Sequence, residues 1–189
     1  RFVDLVEEGF DLALRIAANP GHNLVARKLA PIRRKICASP AYLASHGTPQ
    51  LPQDLARHNC LDYTYLSAGG VWRLRGPEGD IAVPVAGTLR INDDEALSQA
   101  VLGGLGLALL PTFIVGRELQ RGRLVEVLPG YVPVEQFLYA VYVPNRHLPQ
   151  KVRVFIDFLS QRFGASPYWD NLTPEQHGQP PLTLDTVWI

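Results

Sequence analysis

The chain has 189 residues, of which 47% are hydrophobic, and its 18 lysines and arginines balance 18 aspartates and glutamates. This length and composition predict one or two compact globular domains with a substantial apolar core. The zero net charge excludes a strong overall attraction to nucleic acid, and no apolar run approaches the roughly 20 residues that span a bilayer. Two cysteines without a Cys-x-x-Cys pair indicate reduced, strand-buried thiols in a cytoplasmic protein.

Extended segments dominate the start of the chain. The first is a buried strand over 11–16, with Arg15 near its carboxyl end. A charge in that position either lies at a solvated edge or reaches into the crevice where open α/β sheets bind ligands. Two further extended segments are predicted over 24–29 and 32–38.

Ser39 and Pro40 predict the start of a short helix, as its N-cap and first residue, and Gly47 ends it. A strand is predicted over 60–63. The loop at 64–70 combines hydroxyl groups, aromatic rings and glycines. This mixture is typical both of a loop around a small molecule and of a plain surface loop.

A β-hairpin is predicted next. The segments 72–74 and 81–85 both alternate apolar and other residues, and they flank a turn that contains two glycines and a proline. Pro84 lacks a backbone N–H, so the second strand is expected at the edge of a sheet.

The stretch 92–111 contains a helix, a tight turn and a strand. Asn92 and the two aspartates after it can accept hydrogen bonds from free N–H groups at a helix start, and the Gly103–Gly104 pair ends the helix. The apolar run 105–110 is typical of a strand in a parallel sheet covered by helices on both faces. Because these glycines follow a helix and precede a strand, their order excludes a dinucleotide-binding loop.

The last part of the chain continues the alternation. A helix is predicted over 113–119, strands over 124–128 and 137–143, and a helix with one apolar face over 152–163. From Ala165 the regular pattern stops, and a final apolar patch lies between Leu182 and Ile189. Our hypothesis is that this tail docks on this chain or on a neighbouring one.

Known catalytic and metal-binding patterns are absent from the sequence. The five histidines are widely spread, with no H-E-x-x-H pair and no cluster with cysteine at metal spacing. Neither a G-x-S-x-G nor a G-x-x-x-x-G-K motif occurs. Asp93 and Asp94 are adjacent carboxylates, but capping is their ordinary role at a helix start. We therefore expect no metal, no cofactor and no enzymatic activity.

Several motifs, taken in order, resemble the effector-binding domain of LysR-type transcriptional regulators, and the resemblance covers about 2–163. The motifs are DLALRIA (11–17), CASPAYLASHGTPQLPQDLARHNCL (37–61), WRLRGPEGDIAVPVAGTLRINDDEAL (72–97), GGLGLALLP (103–111), LQRGRLVEVLP (119–129) and LYAVYVPNRHLPQKVRVFIDFL (138–159).

This resemblance implies an α/β fold with two Rossmann-like subdomains joined by two crossover strands, as in type 2 periplasmic binding proteins. It places 1–35 and 141–168 in an incomplete first subdomain and 36–140 in the second, with 169–189 as a tail. It also implies an N-terminal winged helix-turn-helix that this chain lacks. Because the chain starts at Arg1 without a methionine, we expect a missing upstream segment. Such regulators are bacterial, cytoplasmic homodimers or homotetramers that bind DNA.

By the same resemblance, a small-molecule effector lies between the subdomains, and its different affinity for two arrangements changes how the oligomer binds DNA. The expected contacts are at the carboxyl ends of strands or in the loops that follow: Arg15, Ser39, Thr64, Tyr65, Ser67, Asn92, Asp93 and Thr112. Arg15 offers a rigid fork of donors, so our hypothesis is a small anionic or carboxylated metabolite. The alternatives are a solute-binding protein that serves a transporter and a small-molecule enzyme on this scaffold.

Overall fold

The computed structural model describes residues 5, 7–21, 24–65, 70–144 and 148–170. Their strands are β1 (Ala13–Ala17), β2 (Val25–Ile32), β3 (Arg34–Ala38), β4 (Cys60–Tyr63), β5 (Val71–Gly76), β6 (Gly79–Pro84), β7 (Arg90–Ile91), β8 (Leu107–Pro111), β9 (Val125–Glu126), β10 (Val132–Pro133) and β11 (Gln136–Tyr142). Their helices are α1 (Pro40–His46), α2 (Asp94–Leu102), α3 (Thr112–Gln120) and α4 (Gln150–Phe163), with a 3-10 helix over Pro52–Arg57. Contacts divide the chain into two compact units, one made of 1–32 and 135–189 and the other of 33–134.

The first unit contains the antiparallel sheet β1-β11-β2. Helix α4 contacts β2 and confirms the predicted helix with one apolar face. Its buried residues recur at intervals of three and four, which aligns them along one side of an α-helix: Val152, Ile156, Leu159 and Phe163. Gly164 has a positive φ of 61° and ends the helix, with its N–H donating to the carbonyl of Ser160.

The chain remains packed for several residues beyond α4. Trp169 is only 4% exposed, and its ring centroid lies 5.2 Å from that of Phe163. Tyr168 packs edge-on against Trp169 and accepts the guanidinium of Arg162 over its ring at 4.9 Å. Trp169 therefore packs on α4, whereas the apolar patch at Leu182–Ile189 lies outside the described residues and its docking stays a prediction.

The second unit contains a five-stranded sheet with the order β7-β4-β8-β3-β9. Strand β4 is parallel to β7 and β8, but β3 is antiparallel to both β8 and β9. The expected parallel sheet around 105–110 is therefore a mixed one. An apolar run shows that a strand is covered on both faces, and it carries no information on the direction of the neighbouring strands.

Alternate residues of β8 face two separate apolar clusters. Leu107 and Leu109 join the cluster with α1 and the β5–β6 hairpin, where Trp72 is 4% exposed. Ala108 and Leu110 join the cluster with α2 and α3. The sheet is thus the middle layer of the unit, and burial on both of its faces explains why nearly all of β8 is apolar.

The predicted hairpin is confirmed. Strands β5 and β6 pair from Val71 opposite Pro84 to Gly76 opposite Gly79, and a two-residue turn connects them. In the small sheet β10-β5-β6 the second strand lies at an edge, as Pro84 indicated. The predicted strand over 124–128 is shorter, because only Val125–Glu126 pairs with β3.

A buried tyrosine in α1 of this unit contacts two histidines and the backbone just before β4. The hydroxyl oxygen of Tyr42 accepts the backbone N–H of Asn59 at 3.0 Å and lies 3.2 Å from Nδ1 of His58. His46 stacks on the Tyr42 ring at 4.3 Å. Burial lowers the pKa of His58, and the nearby His46 and Arg57 lower it further, against an opposing effect of Asp54.

The two cysteines are free and buried, which confirms the expected strand-buried thiols. Cys37 in β3 is opposite Ala108, and Cys60 in β4 is opposite Leu107. Since successive residues of β8 face opposite sides of the sheet, the two thiols also lie on opposite sides. They cannot form a disulfide with each other in this fold.

Candidate functional site

Three parallel strands of the second unit end at the same edge of its sheet, and predicted effector contacts follow each of them. Strand β4 ends level with β7 and runs parallel to β8 on its other side. Thr64 follows β4, Asn92 and Asp93 follow β7, and Thr112 follows β8. The structure therefore brings these four residues to one place, which we name the carboxyl edge.

Helices α2 and α3 both begin at the carboxyl edge. Asp93 is the N-cap of α2, and its Oδ1 accepts the backbone N–H of Ala96 at 2.7 Å, which confirms the predicted capping. Asn92 is exposed and comes immediately before this cap. Thr112 is 5% exposed, and both its backbone N–H and its hydroxyl donate to the carbonyl of Arg33, at 2.9 and 3.2 Å. The two helix N-termini give this edge a partial positive charge.

The loop after β4 adds an aromatic group to the carboxyl edge. Tyr65 is 56% exposed, and its ring packs edge-on against Tyr63 at 5.8 Å. Thr64 is exposed, and its backbone N–H donates to the carbonyl of Ile91 at 2.8 Å, which joins the start of the loop to β7. Ser67, also predicted as a contact, lies outside the described residues.

A buried ion pair that no sequence motif predicted supports the carboxyl edge. Arg34, at the start of β3, places Nη1 3.3 Å from Oδ1 and Nη2 3.2 Å from Oδ2 of Asp94. Its Nη1 also donates to the carbonyl of Leu109 at 3.4 Å, and its guanidinium lies 5.6 Å from the Tyr63 ring centroid. Its side chain is 5% exposed and that of Asp94 is 12% exposed. The sequence offered no specific signal, because Arg34 is the middle one of three consecutive basic residues and the only one of them that is buried.

The Arg34–Asp94 pair affects the protonation of Asp94. Burial raises the pKa of Asp94, and the charge and hydrogen bonds of Arg34 oppose that rise. A second pair lies nearby, where Nε of Arg90 is 3.4 Å from Oδ2 of Asp62. Two of the cations at this edge are therefore matched by carboxylates before any ligand binds.

Two predicted contacts lie elsewhere. Ser39 follows β3, which runs against β8, so it is at the opposite end of the sheet from the carboxyl edge. It is 4% exposed, and its hydroxyl accepts the N–H of Tyr42 at 3.3 Å as the N-cap of α1. Arg15 belongs to the first unit, where it is half-buried in β1 opposite Tyr139. Its Nη1 donates to the carbonyl of Pro20 at 3.1 Å.

Within the described part of the chain, no group of three or more histidine, cysteine, aspartate or glutamate side chains could hold a metal ion. No helix among these residues is both long enough and apolar enough to cross a bilayer.

Comparison with known proteins gives one consistent family. Residues 1–164 match the family model described as LysR substrate binding domain. The HTH-type transcriptional regulator DmlR of Escherichia coli K12 is 42% identical over 168 residues, which cover 86% of this chain and 53% of that protein. PtxR of Pseudomonas aeruginosa, another HTH-type transcriptional regulator, is 37% identical over 168 residues, which cover 89% and 54%.

A solved structure agrees with these matches. CrgA, a LysR-type transcriptional regulator from Neisseria meningitidis, superposes with a TM-score of 0.74 and 32% identity, covering 85% of this chain and 54% of that chain. The chain thus spans about half the length of the curated relatives that it matches.

Proposed function

This chain belongs to the LysR substrate-binding-domain family and has its α/β, type 2 periplasmic-binding-protein-like fold, and on that premise we propose that it senses a small molecule for a transcriptional regulator. The observation that carries the proposal is the family match over 1–164. The relatives named above are transcriptional regulators, which favours regulation over delivery of a solute to a transporter or catalysis.

In this proposal the units 1–32 with 135–189 and 33–134 are the two effector-binding subdomains. The second unit contributes the carboxyl edge to effector binding. Hydroxyl and amide groups of Thr64, Asn92 and Thr112 supply polar contacts there, and Tyr65 supplies an exposed ring. A ligand with different affinities for two arrangements of the subdomains shifts their populations. That shift in population then changes how a DNA-binding domain elsewhere in the protein binds DNA. The whole protein is a cytoplasmic dimer or tetramer in this proposal.

The proposed effector is a small carboxylate. Arg34 and Arg90 at the carboxyl edge each pair with an aspartate, and we assign recognition of the carboxylate to Arg15 of the first unit. A guanidinium presents planar N–H groups that match both oxygens of a carboxylate. The bond from Arg15 to Pro20 holds this fork near the end of β1.

The test begins with acetate, benzoate, succinate and citrate as probes in a thermal-shift assay. A probe at a hundred times its dissociation constant adds ~2.7 kcal/mol to the folded state. Each probe that raises the melting temperature is titrated by calorimetry into wild type, Arg15→Ala and Arg27→Ala. The last is a matched control, because Arg27 is an exposed arginine of the same unit that pairs with Asp157.

We expect Arg15→Ala to weaken binding strongly and Arg27→Ala to leave it unchanged. Equal affinity of Arg15→Ala and wild type would remove Arg15 from the site. If none of the four probes stabilises the wild-type chain, the carboxylate class is wrong.

A further inference from the structure

The second unit starts with two residues that bind the first residues of two helices. Arg33 and Arg34 are consecutive in the chain, at the point where it enters this unit. The carbonyl of Arg33 accepts two hydrogen bonds from Thr112, the first residue of α3. The guanidinium of Arg34 binds both carboxylate oxygens of Asp94, the first residue of α2.

The Arg34–Asp94 pair joins elements that are far apart in sequence, since 60 residues separate its partners. Its geometry is bidentate, with one guanidinium nitrogen at each carboxylate oxygen, and this arrangement restrains both direction and distance. The same guanidinium also bonds to the carbonyl of Leu109 in β8. One side chain therefore fixes the start of α2 against two strands of the sheet.

The position of the first turn of α2 determines where two residues of the carboxyl edge lie. Asn92 and Asp93 directly precede Asp94, and Asp93 caps the helix through Ala96. The exposed Asp93 already caps the helix, so capping does not require the Arg34–Asp94 pair. Burial of a guanidinium is costly, so its presence beneath this turn calls for a reason beyond capping.

We propose that Arg34 is a positioning residue for the effector-binding edge: through Asp94 it holds the first turn of α2, while Arg33 holds the first turn of α3. The start of β3 and the N-termini of α2 and α3 then stay in fixed positions relative to one another. This inference rests on the proposed function of the carboxyl edge, although the positioning itself is measured without a ligand.

The decisive variant replaces both partners, Arg34→Met with Asp94→Leu. Removing one partner would leave a buried charge, whereas replacing both by apolar residues of similar size is often neutral for stability. The matched control is Arg27→Met with Asp157→Leu, an exposed pair whose side chains are 53% and 49% exposed. A single Arg34→Lys variant keeps the charge but loses the planar fork.

Amide hydrogen exchange of the whole 189-residue chain is the readout. The amides of Ala96 and Leu97, which bond to the Asp93 side chain and carbonyl, report the first turn of α2. They should exchange about tenfold faster in the double variant, equivalent to ~1.4 kcal/mol of local stability. Amides of β8 should exchange as in wild type, and the urea midpoint should be unchanged. Arg34→Lys should give an intermediate rate, and the control pair should change nothing at α2.

Unchanged exchange at Ala96 and Leu97 in the double variant would overturn the proposal. Equal acceleration at α2 and throughout β8 would also overturn it, because the pair would then support general stability only. If the double variant fails to fold, Arg34→Lys decides, and wild-type exchange in that variant refutes a requirement for the fork. Failure of the proposed function looks different: the carboxylate probes leave wild-type melting unchanged, while the exchange comparison still decides the positioning.

Discussion

Removal of Trp169 should destabilise the first unit, although this residue lies beyond the 1–164 segment matched by the family model. Two truncations isolate its contribution. Ending the chain after Asp170 keeps Trp169, and ending it after Tyr168 removes that residue and one more. Both remove 171–189, so the difference between them measures the docked ring and the residue after it.

The magnitude follows from the burial of the ring. Trp169 is 4% exposed and packs on Phe163, which is itself 3% exposed. Loss of a buried tryptophan side chain costs ~3–5 kcal/mol, reduced where the site can collapse. At ~2–4 °C per kcal/mol for a chain of 150–250 residues, 3 kcal/mol corresponds to about 6–12 °C in melting temperature.

The assay is urea denaturation and thermal melting of both truncations and of Trp169→Ala in the full chain. The truncation after Tyr168 and Trp169→Ala should lose similar free energies of unfolding. Trp169→Phe should recover part of the loss, because a smaller ring can still pack on Phe163. If both truncations have the same stability, the ring does not stabilise the unit in solution and the reasoning from burial fails.

Further measurements test other parts of the fold. Gly106→Ala should lower the free energy of unfolding by more than the ~1–3 kcal/mol typical of overpacking, because the added Cβ would lie 2.2 Å from the carbonyl oxygen of Asn59. A urea midpoint equal to that of wild type would contradict this prediction. The pKa of His58 is lower in the folded chain than in the unfolded chain. As pH falls from about 6.5 through the folded pKa, the unfolded chain therefore binds more protons than the folded chain, and the free energy of unfolding should decrease in that window. His58→Gln should flatten the pH dependence of the urea midpoint, and an unchanged slope would exclude His58 as its source. Burial raises the pKa of Cys37 and of Cys60 to about 12. Neither thiol should therefore react with Ellman's reagent at pH 8 until the chain is denatured. Rapid reaction of the native chain would refute their burial.

Local features of this fold were predictable from neighbouring residues. The Ser39 cap, the Asp93 cap and the apolar face of α4 each depend on side chains within one or two turns. The β5–β6 hairpin depends on its turn residues in the same way. Such interactions need no knowledge of the rest of the chain, and the structure confirms all four.

Prediction of the site was partial because strand direction is a tertiary property. Residues after parallel strands, such as Thr64 and Thr112, converge on one edge as expected. Ser39 also follows a strand, as expected, but β3 runs antiparallel to β8, so Ser39 lies at the opposite end of the sheet from Thr64 and Thr112. Its role as an effector contact stays a prediction that its location at the far end of the sheet does not favour.

The sequence by itself determined the family, the alternation of strands and helices, and the polar residues that end the parallel strands, because these depend on local pattern and on motif order. Only the tertiary structure decided the mixed direction of the sheet, the burial of Trp169 and the Arg34–Asp94 pair. The sheet and the ion pair join residues that are far apart in sequence, and no local periodicity predicts such contacts. Trp169 contacts the nearby Phe163, but it lies beyond the end of α4, where the helical pattern has stopped. At the carboxyl edge, the sequence predicted the polar residues that follow the strands. Only the fold showed that Arg34 supports them through Asp94.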